Sequence, residues 1–254
     1  MDISSQSGMT AAIRHYGILP FFKSSVDGWS VQDMTRPGFW FDDDDAGLGP
    51  WDWKIDVVQQ GDIAYGKFIG GKAAFATVEW YFHLMNWRRS LPHYRMAVGE
   101  NWKANSNSDK LMQVLAPAVY KAIAQGGAME ASQLRMACTQ AVTPALLEAL
   151  GEKYEHLLVP NARKSICDSV MQFLQMGTWS LVGAIERVYR GPDKIYSGWQ
   201  HAINTTPEDL FCEEPAIVRP TETGCTPGQS REKIIRHIQD MFPDSERETL
   251  LKLI

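Results

Sequence analysis

Residues 169–211, SVMQFLQMGTWSLVGAIERVYRGPDKIYSGWQHAINTTPEDLF, constrain this chain more than any other stretch. Val170, Phe173 and Leu174 end an apolar helix, and the β-prone run Thr178–Val182 predicts a strand directly after it. A charged segment with Gly191-Pro192 supplies a turn, and a second short strand is predicted around Trp199–Ile203. Helix, strand, polar tip and strand are the parts needed to close a helical bundle with a hairpin. No residue in the stretch specifies a reaction.

The residues upstream supply the bundle. A helix is predicted over Asp109–Gln125, capped by Asn107 or Ser108, with Leu111, Leu115, Val119 and Ala122 on one stripe. Pro117 inside it predicts a kink or an early end, because proline removes an internal hydrogen bond. Helices Ala131–Thr139, Pro144–Leu150 and Ala162–Gln175 follow, the second opened by Thr143 with proline at its first position. Three helices and a hairpin give a winged-helix order. A degenerate version precedes it. It has a helix over residues 8–16 stopped by Gly17, and a short apolar segment, Ile18–Phe22, in which Pro20 argues against a central strand. An aromatic corner at Pro50–Lys54 leads to a hairpin over Asp62–Thr77, turned by Gly70-Gly71, and a helix over Glu79–Arg89.

The polar connector at residues 90–108 divides the chain into an N-terminal half, residues 1–105, and a second half, residues 106–212. Residues 213–254 form a loop and helical tail. In the tail Thr226 opens a helix to about Phe242, and Ser245–Glu248 reads as a capping box for a last helix. The tail helices either pack back on the body or offer a contact to a protein partner or a second copy. The fold class is α+β, mostly helical, with a C-terminal helical extension.

Charge and motifs narrow the functions. The chain of 254 residues carries −5 overall, but residues 61–140 hold nine bases against five acids, a surplus of +4. Such a middle third suits a basic face, although the acidic whole gives no general attraction to nucleic acid. No apolar run approaches the roughly 18 residues of a membrane span, and the first residues do not read as a secretory signal. A cytoplasmic protein without membrane partners is expected. The four cysteines are far apart and form no zinc or disulfide spacing. Asp42–Asp45 reads as a solvated loop, because adjacent carboxylates repel and point apart, so no metal and no cofactor are expected. Serine-hydrolase, P-loop, dinucleotide and zinc-protease motifs are absent. Gln172 and Gln175, one helical turn apart, suit hydrogen bonding at a helix end. Arg187, Tyr189, Arg190 and Lys194 gather at the predicted hairpin tip, where they serve either phosphate contact or solubility.

Several phrases in order carry a resemblance: Pro50-Trp51-Asp52-Trp53-Lys54, Tyr65-Gly66-Lys67, Trp80-Tyr81 through Asn86-Trp87-Arg88-Arg89, Leu174-Gln175-Met176, and Gly198-Trp199 before Thr206-Pro207-Glu208. Over residues 10–212 the chain resembles the bacterial AlkZ-related proteins, distant relatives of the AlkZ-type DNA glycosylases. The resemblance implies tandem winged-helix units around a central groove that faces duplex DNA. In those glycosylases a glutamine-hydrophobic-glutamine or glutamine-hydrophobic-aspartate motif soon after the first helix positions the attacking water. Here the corresponding place is Ile18-Leu19-Pro20-Phe21-Phe22, with neither amide nor carboxylate. No catalytic residue carries over. The bases expected to line a groove are Lys54, Lys67, Lys72, Arg88, Arg89 and Arg135, with Trp53 as a stacking or wedge residue. Two rivals stand beside this DNA-binding reading. One is a glycosylase whose water is held by Asp52, Asp56 or Glu79, and the other is a non-enzymatic protein-interaction module.

Overall fold

Ser5 caps the first helix, α1 (Gln6–Tyr16), its hydroxyl accepting the Gly8 N–H. Gly17 ends α1 at φ +67, and a Cβ there would sit 2.3 Å from the Trp80 indole, so only glycine fits. The chain then enters β1 (Ile18–Pro20), which pairs with β3 (Lys72–Thr77), and β3 pairs with β2 (Ile63–Ile69). The sheet order is β1-β3-β2, which puts Pro20 on an edge strand where its missing N–H is tolerated. Gly70 and Gly71 turn β2 into β3 at φ +54 and +71, as the sequence predicts. The computed structural model describes residues 2–40, 49–152, 154, 163–211 and 223–254, so the Asp42–Asp45 run and Cys212 lie outside the described residues.

The first half holds the largest correction to the sequence reading. Pro50–Gln59 is a helix, α2, where only an aromatic corner is expected. Its buried residues Trp53, Lys54, Ile55, Val57 and Val58 surround the axis, so it has no single apolar stripe to reveal it. The predicted helix after the hairpin is α3 (Val78–Arg88).

In the second half a 3-10 turn at Pro92–Val98 occupies the connector. Ser106, not Asn107 or Ser108, caps α4 (Asn107–Gly126) through a reciprocal box with Asp109. The helix runs past Pro117 to Gly126, so the early end does not occur. Helices α5 (Ala131–Ala141), α6 (Pro144–Leu150) and α7 (Arg163–Met176) follow, with a short strand β4 (Met129–Glu130) before α5. The hairpin is longer than expected, with strands β5 (Leu181–Arg190) and β6 (Ile195–Thr205). Thr178 lies outside β5 in the left-handed region, φ +60, because it turns the chain out of α7. The second sheet has the order β4-β6-β5, so each sheet places its last strand in the middle. Thr206 then caps the short helix α8 (Pro207–Phe211), accepting the Asp209 N–H.

Two apolar cores result. One lies within residues 97–174, built from α4, α5, α6 and α7. The other joins residues 3–85 with the start of β5, Phe211 and the tail helices α9 (Pro227–Met241) and α10 (Arg247–Leu253). The tail helices therefore pack back on the body, with Ile234, Ile235, Ile238 and Leu250 buried there. The predicted Ser245–Glu248 capping box does not form: Glu246 takes the cap position without a side-chain bond. Docking of α9 is polar as well as apolar. Lys233 Nζ donates to His83 Nε2 at 2.9 Å, leaving Nδ1 to donate to Ser230 Oγ at 3.0 Å, and Asn86 Nδ2 donates to the same oxygen at 2.8 Å. Burial, and then the Lys233 charge, lower the His83 pKa. Among the described residues Cys138, Cys167 and Cys225 form no disulfide.

Candidate functional site

The seam between α2 and β6 concentrates the unusual chemistry. Proline at the first position of α2 sets its start, and the helix carries Trp51, Asp52 and Lys54 toward the hairpin. On β6 the register pairs Arg187 with Gln200 but Tyr189 with Tyr196, so four residues on β6 span two on β5. Gly198, at φ +74, lies in this bulge. Tyr196 and Gln200 face α2, while Trp199 beside Gln200 stands out to solvent.

Lys54 is 4% exposed. Its Nζ donates to the Trp51 carbonyl at 2.6 Å and to Gln200 Oε1, and sits 3.3 Å from the Trp51 ring centroid. Gln200 Nε2 donates to the Trp51 carbonyl at 3.2 Å and to Asp52 Oδ1 at 3.2 Å. Tyr196 donates its hydroxyl to the same Asp52 oxygen at 2.6 Å. Desolvation lowers the Lys54 pKa to about 7, and the nearby Asp52 charge offsets only part of it. Tyr196 is pushed up, by burial first and then by its bond to Asp52.

Next to this cluster lies the apolar segment Ile18–Phe22. Phe21 is fully buried there, and its ring packs on Trp40 at 4.7 Å, Phe75 at 5.7 Å and Tyr65 at 6.3 Å. Its backbone is occupied too, the N–H by Ala73 O and the carbonyl by Gln32 N–H. Lys54 Nζ is 5.7 Å from the Phe21 ring centroid. Of the three carboxylates considered as water holders, Asp52 is buried in the cluster. Asp56 faces Arg187 at 3.9 Å on the hairpin side, and Glu79 pairs with Lys233 on the tail.

The residues expected to line a groove fall into different settings. Trp53 is buried against Phe39, with ring centroids 5.5 Å apart. Arg88 is 1% exposed and donates to three carbonyls: Met176 at 2.7 Å, Ile254 at 3.0 Å and Leu253 at 3.1 Å. It joins α3, α7 and α10. Arg89 pairs with Glu208, donates to Thr178 O at 2.7 Å and lies 4.3 Å over the Trp179 ring. Arg135 bonds Asp168 at 3.1 Å, linking α5 to α7. Lys67 and Lys72 are exposed on the first hairpin, with Lys72 Nζ donating to Lys23 O. That hairpin's tip is docked, Gly70 N–H on Leu253 O and Gly71 N–H on Met176 Sδ. Gln175, singled out from the sequence, accepts the Lys67 N–H at 2.7 Å and donates to Asn204 at 3.0 Å, so it holds the two halves together.

The second hairpin ends free. Ile195, Trp199 and Tyr189 are 69%, 65% and 56% exposed there, and Arg190 and Lys194 are exposed beside them. Sequence reasoning singled out the arginines and Tyr189 but missed Ile195 as a surface residue and Trp199 as part of the site. Their signal was available in the register: apolar residues at the end of a hairpin too far from any core to be covered. Among the described residues no helix is long and apolar enough to cross a membrane, and no group of metal-binding side chains converges.

A family model described as AlkZ related matches residues 3–254, which takes in the tail as well as both halves, and the chain belongs to that family. No curated protein and no solved structure matches it.

Proposed function

We propose that this member of the AlkZ-related family is a DNA-binding protein built from tandem winged-helix units, without the amide or carboxylate pair of its glycosylase relatives. The repeated strand order, β1-β3-β2 and β4-β6-β5, supports the tandem reading. The observation that carries DNA binding is the free end of the β5–β6 hairpin, where Trp199, Ile195 and Tyr189 are exposed beside Arg190 and Lys194. Apolar side chains next to cations suit a wedge at a base step with phosphates on either side. Lys67 and Lys72 add exposed positive charge on the first hairpin. Arg88, Arg89, Arg135, Lys54 and Trp53 are engaged within the protein and are not part of the proposed surface. A cytoplasmic location belongs to the same proposal, since that is where a bacterial chain meets DNA.

Binding to intact and abasic duplexes, measured by fluorescence anisotropy, tests this. Affinity is expected to fall steeply with salt, and Trp199→Ala to weaken it about tenfold, within the roughly 1–3 kcal/mol of one stacked base. No binding at low salt to either duplex sinks the proposal and favours a protein-interaction module with the acidic surface. A glycosylase with a substitute water holder is the second reading, favoured by the burial of Asp52 next to Trp51, whose ring lies 6.3 Å from that of Phe21. Release of a modified base by the wild type and its loss in Asp52→Asn would establish it; an inert wild type across several lesions would remove it.

A further inference from the structure

We infer that Lys54 is a nucleophilic amine, placed in the α2–β6 seam to form an imine with the C1′ aldehyde of an abasic deoxyribose. The inference rests on the DNA-binding reading for its substrate. The case for the amine itself stands on geometry. Lys54 Nζ is bounded by two neutral acceptors, a peptide carbonyl and a carboxamide, and by the face of Trp51. Neither acceptor balances an ammonium charge. The buried cation Arg88 offers the contrast: it is held by backbone oxygens, and a guanidinium stays charged there whereas an amine can lose its proton. A protein that needs only a permanent charge in such a place has arginine at hand. Desolvation leaves Lys54 with a usable fraction of free amine near neutral pH.

The position also suits the role. The amine lies 5.7 Å from the ring centroid of the buried Phe21, on an apolar wall that keeps water from it. It is covered from the hairpin side by Gln200, and the Tyr196 bond to Asp52 at 2.6 Å closes the seam, with longer contacts farther out. Trp51 Nε1 reaches Gly198 O at 3.3 Å, and Arg187 meets Asp56 at 3.9 Å. Lys54 lies behind the proposed DNA surface, and the proposal requires β6, the strand that carries Trp199, to part from α2 with loss of the Tyr196 and Gln200 bonds before Nζ is reached. A ligand held on the hairpin end therefore acts on the strand that covers the amine.

The step balances without a further reactant. The Nζ lone pair attacks the aldehyde carbon, both amine hydrogens leave with the carbonyl oxygen as water, and a carbon–nitrogen double bond remains. Sodium borohydride traps that imine by adding hydride to its carbon, giving a stable secondary amine.

The experiment incubates the whole chain with a duplex bearing one abasic site, adds borohydride, and maps the modified peptide by mass spectrometry. DNA binding is followed in parallel by anisotropy, and 2-deoxyribose 5-phosphate serves as a second aldehyde without a duplex. The expected result is a covalent adduct on Lys54, with a yield that rises several-fold from pH 6 to pH 8, and at least a tenfold loss in Lys54→Gln. The map on wild-type protein decides the site even if that variant fails to fold. Bound DNA without an adduct, or an adduct on Lys67, Lys72 or another amine, overturns the inference and leaves the DNA-binding reading standing. Labelling of Lys54 by the sugar phosphate with no DNA binding overturns the substrate assigned to it, together with that reading.

Discussion

Replacing Lys54 by methionine makes the buried amine measurable as a dependence of stability on pH. Lys54 has a pKa of about 7 in the folded protein and its ordinary 10.5 when unfolded. Between these values the unfolded chain binds more protons, so the lysine's contribution to stability rises with pH. The sign is opposite to that of a paired carboxylate. Below pH 7 both states hold the proton and the dependence flattens. Linkage puts the ionisation penalty at about 4 kcal/mol at pH 7 and about 2 kcal/mol at pH 9. Methionine is close to lysine in length and has no such penalty. It also loses the bonds to Trp51 O and Gln200, a loss that depends little on pH. The stability of Lys54→Met relative to wild type is therefore expected to fall by about 2 kcal/mol from pH 7 to pH 9. Urea unfolding followed by circular dichroism at pH 7, 8 and 9, at constant ionic strength, reads that difference, and all other titrating groups cancel between the two proteins. Curves that stay parallel within about 0.5 kcal/mol refute the lowered pKa, and with it the supply of free amine.

Arg88→Met leaves three carbonyls without their donor and is expected to destabilise by about 3–5 kcal/mol, in the range for breaking a buried charged network. A loss below about 1 kcal/mol in the same urea assay would contradict the joint role assigned to it. Gly17→Ala drives a methyl to 2.3 Å from Trp80 at positive φ, an expected cost of about 2–4 kcal/mol. Gly38→Ala, also at positive φ but with nothing within 4 Å, is expected to cost only about 1–2 kcal/mol, and thermal melts of the two distinguish clash from backbone strain. Because His83 has a lowered pKa, its neutral form stabilises the docking of α9 above pH 6.5, and that contribution is lost as pH falls through 6.5 and below. Protection of α9 amides against exchange, after correction for the slower intrinsic rate at low pH, should fall from pH 7.5 to 5.5, and less so in Lys233→Met; an equal fall in both would refute the coupling.

How much of this was legible in the sequence depended on how local its cause was. Helices α5, α6 and α7 follow from an apolar stripe or from Thr143-Pro144, and the first hairpin from Gly70-Gly71, because each signal lies within a few residues. Helix α2 escaped because it is buried on several sides, which erases the stripe that periodicity detects. Strand β4 escaped because two residues carry no period. At the site, Arg88 and Arg89 are adjacent and chemically alike in sequence. Only the fold separates them, sending one to the carbonyls of Met176, Leu253 and Ile254 and the other to Glu208 and Trp179. Lys54 reads as a surface base until Gln200, 146 residues away, closes over it. Asp52 reads in the sequence as a candidate water holder, and nothing local marks Tyr196, 144 residues distant, as its partner.

The division of the apolar interior into two cores has a kinetic consequence. The core within residues 97–174 is assembled from neighbours in the chain, so its loops close early and at small entropic cost. The other must join residues near the start to residues near the end. His237 bonds Tyr16 O across a separation of 221 residues, and Arg88 bonds Ile254 O across 166. Folding should then proceed in two phases, with the α4–α7 bundle forming first and serving as a fixed anchor. The carbonyl of Met176, at the end of that bundle, is the place where the late phase registers, since Arg88 cannot find its three partners until the bundle presents the first of them.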